Sequence, residues 1–249
     1  MEILHESEFR NHTLALTLSG DGGRPILDHS AYERLSRELD RAEADDEVRV
    51  VILKGLSGCF CLGGDLSEFL DPTKHETLIK AVSGMFRRLA RFTKPMLGCV
   101  DGDAIGVGCT VLFHCDLVYA SPKSTFRVPF VDLGLVPDAA TSLLAPEKLG
   151  YATAFRFFCL GETLDAAEAL RLGLISDLVE DADPESRARE TARRLAKKPA
   201  RALSQTRMLL KGDSAELCNR IDREISLFHN ALQDEATIRR LKRVSRMAA

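Results

Sequence analysis

Two glycine-bearing segments of the sequence could bind a negatively charged oxygen through the backbone. The first is GCFCLGGDL, residues 58–66, and the second is DGDAIGVGC, residues 101–109. Each follows an apolar run typical of a buried strand and precedes a stretch with helical spacing. Glycine lets the backbone approach a ligand closely, and the first N–H groups of a helix have no intrahelical partner. Either segment alone also fits a tight strand-to-helix turn that binds nothing.

Neither segment has the pattern of a nucleotide-binding loop. No Gly-Lys-Ser/Thr follows the glycines, as a P-loop requires, and the GxGxxG spacing of dinucleotide-binding folds is absent. Cys59 and Cys61 form a CxC pair without a second Cys or His pair, so we predict no metal site. The seven cysteines are odd in number and lack the spacing of a disulfide framework, which indicates reduced thiols and a cytoplasmic protein.

The elements that must position these segments alternate between strands and helices up to Pro146. Predicted strands cover residues 13–18, 48–53, 96–100 and 115–120, and predicted helices cover 29–42, 66–70, 76–92 and 108–114. Beyond Pro146 the predicted helices cover 152–159, 165–172, 184–196, 200–211 and 215–243, with one candidate strand over 174–179. The sequence therefore predicts an α/β core followed by a helical extension.

The composition argues against several classes of partner. The 249 residues include 34 Lys and Arg against 37 Asp and Glu, a net charge of −3, and 45% are hydrophobic. This balance gives no indication of a nucleic-acid or membrane partner. The N-terminal MEILHESEFR lacks the features of a secretory signal, and no apolar run reaches the roughly 18 residues that cross a bilayer. We therefore expect a soluble cytoplasmic protein.

Four segments, in order and at the expected spacing, resemble the enoyl-CoA hydratase/isomerase, or crotonase, superfamily. FCLGGDL, residues 60–66, resembles its first signature, aromatic-x-x-Gly-x-Asp. DGDAIGVGCTVLFHCDLVYA, residues 101–120, resembles the second, Asn-Gly-x-Ala-x-Gly-Gly-Gly followed by a helix and Cys-Asp. The stretches LGLVPDAATSLLAPEKLG, residues 133–150, and GETLDAAEALRLGLISDLVE, residues 161–180, resemble the third signature and the region after it.

The resemblance implies an α/β fold, a crotonase-like spiral of ββα units over residues 1–190, with a helical trimerisation region over residues 191–249. The expected assembly is a homotrimer or a dimer of trimers. The implied substrate is an acyl-CoA thioester of fatty acid metabolism. Coenzyme A is then part of the substrate, and no separate cofactor is expected.

The same resemblance implies an oxyanion hole formed by the N–H groups of Gly64 and Val107. Valine stands where the family usually has glycine, but it keeps the N–H group. Enolising a thioester places negative charge on its oxygen, and a fixed donor aimed there contributes about 2.7–4 kcal/mol. The implied coenzyme A contacts lie in the first loop and before the first helix, at Leu62, Gly63, Asp65, Leu66, Arg24 and Ile26. The usual Lys-x-Asn-Ala reads Arg-Pro-Ile-Leu here, so Arg24 fits either a phosphate contact or a solvated turn.

Hydratases of the family resemble one another in two glutamates, and both are replaced here. Thr110 stands at the first position and Phe130 at the second. Adding water across a double bond needs one group to activate the water and another to deliver a proton. Since neither threonine nor phenylalanine does this work, we predict that the protein is not an efficient hydratase.

One acid remains in the third signature, Asp138 of Val-Pro-Asp-Ala-Ala. It resembles the acid of Δ3,Δ2-enoyl-CoA isomerases acting on phenylacetate-pathway intermediates, which moves a proton from C2 to C4 through a dienolate. An apolar pocket of Phe130, Val131 and Leu135 would raise its pKa for that role. Asp138 also suits the N-cap of a helix beginning at about Ala139, and the two roles are compatible.

Three alternatives stay open. Hydratase-like activity is one of them. Dehalogenase-like displacement is the second, because Asp-Ala-Ala-Thr-Ser resembles the turn whose Asp attacks the ring in 4-chlorobenzoyl-CoA dehalogenases, although those carry Trp in place of Phe130 and Phe in place of Gly64. The third is an inactive acyl-CoA-binding subunit.

Several other residues receive expectations. We expect Asp65 to brace the first loop, Asp116 and His114 to be structural, His75 to lie in a mobile loop near the acyl pocket, and Asp132 to face away from it. Residues 70–83 are expected to line the acyl pocket. At the C-terminus, Arg240, Lys242 and Arg243 either contact the phosphates of coenzyme A or form a solvated basic face.

Overall fold

The strands form two sheets, described here from a computed structural model that covers residues 7–18, 26–56, 58–181 and 183–248. The strands are β1 (Ser7–Arg10), β2 (Thr13–Thr17), β3 (Val50–Lys54), β4 (Cys59–Cys61), β5 (Met96–Val100), β6 (Asp103–Ile105), β7 (Leu117–Ala120), β8 (Thr125–Arg127), β9 (Leu164–Asp165) and β10 (Asp177–Leu178). The larger sheet has the order β1-β2-β3-β5-β7-β10, and the smaller has the order β4-β6-β8-β9.

The larger sheet is parallel except for the β1–β2 hairpin. Its central strands β3 and β5 read VVILK and MLGCV, and nearly every residue in them is buried, as expected for a strand covered on both faces. On one face, Val50, Ile52 and Leu97 belong to a cluster that includes Ala188 and Ala192. The opposite face belongs to the main core of the molecule.

The helices are α1 (His29–Ala44), α2 (Leu66–Phe69), α3 (His75–Arg91), α4 (Val107–Thr110), α5 (Phe130–Leu133), α6 (Thr141–Leu149), α7 (Tyr151–Cys159), α8 (Ala166–Arg171), α9 (Pro184–Ala196), α10 (Ala200–Lys211), α11 (Ser214–Leu232) and α12 (Glu235–Ala248). A 3₁₀ turn, Val111–His114, continues α4. Helix α3 packs between α1 and α11. Among the described residues, no helix is long and apolar enough to cross a membrane.

The smaller sheet gives the fold its repeat. Strands β3, β5 and β7 of the larger sheet are each followed by a three-residue strand of the smaller one, β4, β6 or β8, and then by a helix. The three short strands run parallel to one another. This repetition confirms the α/β spiral of ββα units that the sequence implied. The division at residue 190 stays a prediction, and that residue lies within α9.

The single C-terminal helix predicted over 215–243 is wrong, because the chain breaks between α11 and α12. The Asp234 carboxylate accepts a hydrogen bond from the N–H of Thr237 at 3.0 Å and starts a new helix. The Thr237 hydroxyl donates to the Gly134 carbonyl at 3.1 Å, which anchors α12 beside α5. The break therefore allows the last helix to return to the loops of the core.

Candidate active site

The two glycine loops lie side by side because they leave adjacent strands. Strand β4 pairs in parallel with β6, with Cys59 opposite Asp103 and Cys61 opposite Ala104. Parallel pairing places the carboxyl ends of both strands at one edge of the sheet, and each loop begins there. A Cβ added to Gly108 would lie 2.5 Å from the Cys61 carbonyl oxygen, so glycine allows α4 to approach β4 this closely.

The Gly64 amide is left without a partner by the pairing of its neighbours. The Leu27 N–H donates to the Gly63 carbonyl at 2.9 Å, and the Asp65 N–H donates to the Leu27 carbonyl at 3.0 Å. In a parallel pairing the residue between these two directs its own N–H to the other side. No hydrogen bond within the described part of the chain engages the Gly64 N–H. A Cβ at this position would lie 2.6 Å from the Phe69 ring, so the position requires glycine.

The Val107 amide is the first of helix α4 and has no intrahelical acceptor. Gly106 precedes it with φ 55° and ψ −122°, a conformation that requires glycine, and its N–H donates to the Arg127 carbonyl at 2.9 Å. The Val107 side chain is buried in the core. Gly64 and Val107 border the same cavity.

That cavity has a volume of about 780 Å³, the size of a small-molecule site. Its wall is mostly apolar, and Phe69, Val82, Leu135, Ile225 and Phe228 contribute to it. Val82 is the only residue of the predicted 70–83 segment in this wall. The exposed side chains on the cavity are Arg127, Asp132, Arg240, Arg243 and Met247, and they mark its opening.

Asp138 is the carboxyl group in the interior of this cavity. Its residue is 6% exposed, and the Thr110 hydroxyl donates to its Oδ1 at 2.6 Å. Burial raises the pKa of Asp138 to about 7, against the lowering effect of the Thr110 hydrogen bond, and the negative charge of Glu224 adds to the rise. A carboxyl with this pKa can accept a proton and return it near neutral pH. Thr110, which stands where hydratases of the family have a glutamate, therefore forms a hydrogen bond to the remaining acid.

The predicted N-cap role of Asp138 is wrong. Helix α6 begins at Thr141, and Ala139 and Ala140 intervene in left-handed conformations with φ of 57° and 59°. These two residues carry the Asp138 side chain away from the helix end. The cap comes from α11 instead, because the Glu224 carboxylate accepts the N–H groups of Ala140 at 2.6 Å and Ser142 at 2.9 Å.

His114 also supports this turn. Burial lowers its pKa to about 3, so the ring is neutral. Its Nε2 lies 2.8 Å from the Ala139 carbonyl oxygen, and because a carbonyl only accepts, Nε2 carries the proton. The expected structural role of His114 thus agrees with its contacts. Asp116 is likewise bound by Arg207 and by the Met96 N–H.

Two functional candidates escaped the sequence analysis, Tyr32 and Glu224. Tyr32 is 2% exposed, borders the cavity, and its hydroxyl lies 3.2 Å from a Cβ built on Gly64. Burial raises its pKa, and the charge of Asp138 adds to this. Both residues stand in the apolar stripes of their helices, as Glu224 does between Ile221 and Ile225. A polar group in such a stripe is the signal that could have identified them.

Only some of the predicted coenzyme A contacts that the structure describes border the cavity. Leu62, Gly63 and Leu66 border the cavity. The Asp65 carboxylate accepts the Ser67 N–H at 2.7 Å and caps α2, as expected of a residue that braces the loop. Ile26 is exposed and stands next to the Leu27 pairing, whereas Arg24 lies outside the described residues.

Two expectations near the cavity are wrong. His75 is not in a mobile loop but is the first residue of α3, buried, with Nε2 2.9 Å from the Phe69 carbonyl oxygen. Asp132 does not face away, since it borders the cavity opening and pairs with Arg127 at 3.2 Å. The left-handed Gly134 ends α5 after one turn and leaves Asp132 on the cavity side.

Comparisons with known proteins agree with this architecture. The family model for enoyl-CoA hydratase/isomerase matches residues 26–243. The chain is 31% identical over 192 residues to 2,3-dehydroadipyl-CoA hydratase of Escherichia coli K12, covering 77% of this chain and 74% of that protein. It is 30% identical over 227 residues to 1,2-epoxyphenylacetyl-CoA isomerase of the same organism, covering 89% and 86%. The solved structure of Pseudomonas aeruginosa OdaA superposes with a TM-score of 0.91 at 32% identity, covering 96% and 97%. The chain therefore belongs to the enoyl-CoA hydratase/isomerase family.

Proposed function

We propose that the protein is a Δ3,Δ2-enoyl-CoA isomerase with Asp138 as its single acid–base group. The observation that carries this proposal is the position of one buried carboxyl, with a pKa of about 7, in the cavity that Gly64 and Val107 border. Among the described residues, the other carboxylate on this cavity is Asp132, which is exposed and paired with Arg127. One interior carboxyl suits a reaction that removes and returns one proton.

In the proposed mechanism the Asp138 carboxylate removes a proton from C2 of a 3-enoyl-CoA. The electron pair of the C–H bond moves into the thioester, whose oxygen becomes the anion of a dienolate. The N–H groups of Gly64 and Val107 donate to that oxygen and stabilise the charge. The protonated Asp138 then returns the proton to C4, the double bond moves between C2 and C3, and the carboxylate is restored.

The residues at the two glutamate positions of the hydratases, Thr110 and Phe130, argue against hydration. The Thr110 hydroxyl donates its hydrogen bond to Asp138. Phe130 is a buried residue of the cavity wall, and its ring centroid lies 6.5 Å from that of Phe158. Neither side chain activates water while Asp138 delivers a proton. One of the two reported Escherichia coli relatives is named a hydratase and the other an isomerase, so the names of the relatives support the family without favouring either reaction.

The thioester would enter from the exposed side of the cavity. We propose that coenzyme A lies along Leu62, Gly63, Asp65 and Leu66, near Arg24 and Ile26. Arg240 and Arg243 border the opening and would meet its phosphates as charges. Lys242 does not border this cavity and is not part of the proposal.

We further propose a cytoplasmic homotrimer or dimer of trimers. Met208, Leu209 and Leu210 at the end of α10 are largely exposed apolar side chains, as expected of a surface that another copy covers. Light scattering coupled to size exclusion would measure the assembly. A monomer at micromolar concentration would contradict it.

The decisive experiment follows 3-enoyl-CoA conversion spectrophotometrically in wild type, Asp138→Ala and Asp132→Ala. Wild type should produce the conjugated 2-enoyl thioester, and Asp138→Ala should lose about 10²–10⁴-fold in kcat. Asp132→Ala, which removes the exposed carboxylate, should keep most of the activity. The isomerase proposal fails if wild type binds acyl-CoA esters without converting them, or if it hydrates 2-enoyl-CoA as fast as it isomerises 3-enoyl-CoA.

A further inference from the structure

The turn that carries Asp138 is held in a conformation that its sequence disfavours. Ala139 and Ala140 both have left-handed backbones, with φ of 57° and 59°. This conformation is unfavourable for a non-glycine residue, so a consecutive pair persists only when its surroundings impose it. The two alanines are fully buried, and they lie between the acid and helix α6.

Glu224 of α11 is the side chain that holds this turn from the opposite side. Its carboxylate binds the Ala140 N–H at 2.6 Å with one oxygen and the Ser142 N–H at 2.9 Å with the other. Glu224 is 4% exposed, and no ion pair to it is formed within the described residues. A negatively charged acceptor at the N-terminus of a helix is stabilising. Burying a carboxylate is costly unless hydrogen bonds compensate it, and the two backbone N–H groups provide this compensation for Glu224.

The same carboxylate brings negative charge close to the acid. Among the described residues, the charge of Asp138 acts on Tyr32 of α1 and Cys109 of α4, and burial raises the pKa of both, so both stay neutral. Asp132, Arg127, Arg240 and Arg243 border the same cavity but are exposed at its opening. His114 is neutral as well. Arg220, one turn before Glu224, donates to the Ser142 hydroxyl at 3.3 Å and partly offsets the charge. Glu224 is thus the charged group that most affects the protonation of the acid.

Helix α11 also forms part of the acyl pocket. Ile225 follows Glu224 directly, Phe228 stands one turn later, and both border the cavity. The ring of Phe228 packs edge-on against Phe69, with centroids 5.6 Å apart. A shift of α11 by an acyl chain would therefore move the carboxylate that holds the Asp138 turn.

We propose that Glu224 is a positioning residue for Asp138, which fixes the strained turn that directs the acid into the cavity and places a second negative charge beside it. The inference rests on the proposed function only for the role of Asp138 as the base. Its geometric content, the coupling of α11 to the acid, holds for any reaction in this cavity.

Two substitutions separate the two parts of the role. Glu224→Gln keeps the length and removes the charge, and Glu224→Asp keeps the charge and shortens the reach. Glu216→Gln removes the same charge from the exposed first turn of α11 and serves as the matched control. The titration of Asp138 is measured by ¹³C NMR on protein labelled at aspartate carboxyls and assigned with Asp138→Asn, alongside the pH profile of kcat/KM.

In Glu224→Gln the titration midpoint of Asp138 should fall by on the order of one pH unit, with the acid limb of kcat/KM moving equally to lower pH. Glu224→Asp should keep the midpoint and lose about 10- to 100-fold in kcat, because the turn shifts. Glu216→Gln should match wild type. An unmoved midpoint in Glu224→Gln, or full kcat in Glu224→Asp, overturns the proposal.

If Glu224→Gln does not fold by circular dichroism, Glu224→Asp decides alone. Reduced kcat with an unmoved pH profile supports the positioning role, and unchanged kcat refutes it. If no protein, wild type included, isomerises 3-enoyl-CoA, the isomerase proposal fails separately, and the NMR titration of Asp138 still decides the role of Glu224.

Discussion

Replacing Asp138 with asparagine should change how the stability of the protein depends on pH. Asparagine has the same shape, and its side-chain oxygen can still accept the Thr110 hydroxyl that now lies 2.6 Å from Oδ1. The substitution therefore removes the titrating charge and leaves the contacts largely in place. Any pH-dependent difference between the two proteins then reports on the buried carboxyl.

The magnitude follows from the raised pKa. Asp138 moves from an ordinary value of 3.8 to about 7 on folding. A difference of about 3 pH units, at about 1.36 kcal/mol each, corresponds to about 4 kcal/mol. Because the folded pKa is higher, the folded state holds more protons between these values, and wild-type stability falls as pH rises from about 4 to about 7. Asp138→Asn has no titrating group at this position, so its stability does not show this decrease.

Urea denaturation at pH 5 and pH 8, at one fixed protein concentration, measures the effect. The stability advantage of Asp138→Asn over wild type should grow by about 2.5 kcal/mol between these two pH values. Asp40→Asn, at an exposed carboxylate paired with Arg88, should show no such growth. An advantage that is constant or shrinks with rising pH would refute the assignment of a raised pKa to Asp138.

Three further substitutions test the surroundings of the acid. Gly64→Ala should lose at least 10²-fold in kcat, because its Cβ would fall 2.6 Å from the Phe69 ring and move the loop, and turnover beside a circular dichroism spectrum checks this. Thr110→Val should move the acid limb of kcat/KM to higher pH, since its hydrogen bond lowers the pKa of the acid; a shift to lower pH would count against this. Tyr32→Phe should lose about tenfold in kcat/KM, because Tyr32 borders the cavity. The control Tyr119→Phe removes a hydrogen bond to Thr191 and should keep its kcat/KM, so equal losses in both variants would indicate a merely structural effect.

Strong local patterns predicted much of the framework. The strand over 96–100 and the helices over 184–196 and 200–211 coincide with β5, α9 and α10. Continuous apolar runs and helical spacing are signals that neighbouring residues carry by themselves. The short strands β4, β6 and β8 escaped prediction, because three residues are too few to show an alternation.

Residues within one contiguous loop could be predicted to border the cavity, but contacts between side chains far apart in the sequence could not. The resemblance of both loops to the family signatures pointed to Gly64 and Val107, and both residues border the cavity, whereas their role as oxyanion donors stays a prediction. The bond from Glu224 to the Ala140 N–H joins residues that are 84 positions apart, which no local pattern contains. The left-handed conformations of Ala139 and Ala140 could not be predicted either, because alanine favours the α-helix. A helix that began at Ala139 would have Asp138 as its N-cap.

The central claim is that Asp138 carries one proton from C2 to C4 of a bound 3-enoyl-CoA. Single-turnover conversion of substrate deuterated at C2, with the product analysed by mass spectrometry and NMR, tests it most directly. We predict 2-enoyl-CoA that carries deuterium at C4 in part of the product from wild type, and conversion slowed by about 10²–10⁴-fold in Asp138→Asn. A main product of 3-hydroxyacyl-CoA, or equal conversion by Asp138→Asn, would contradict the claim.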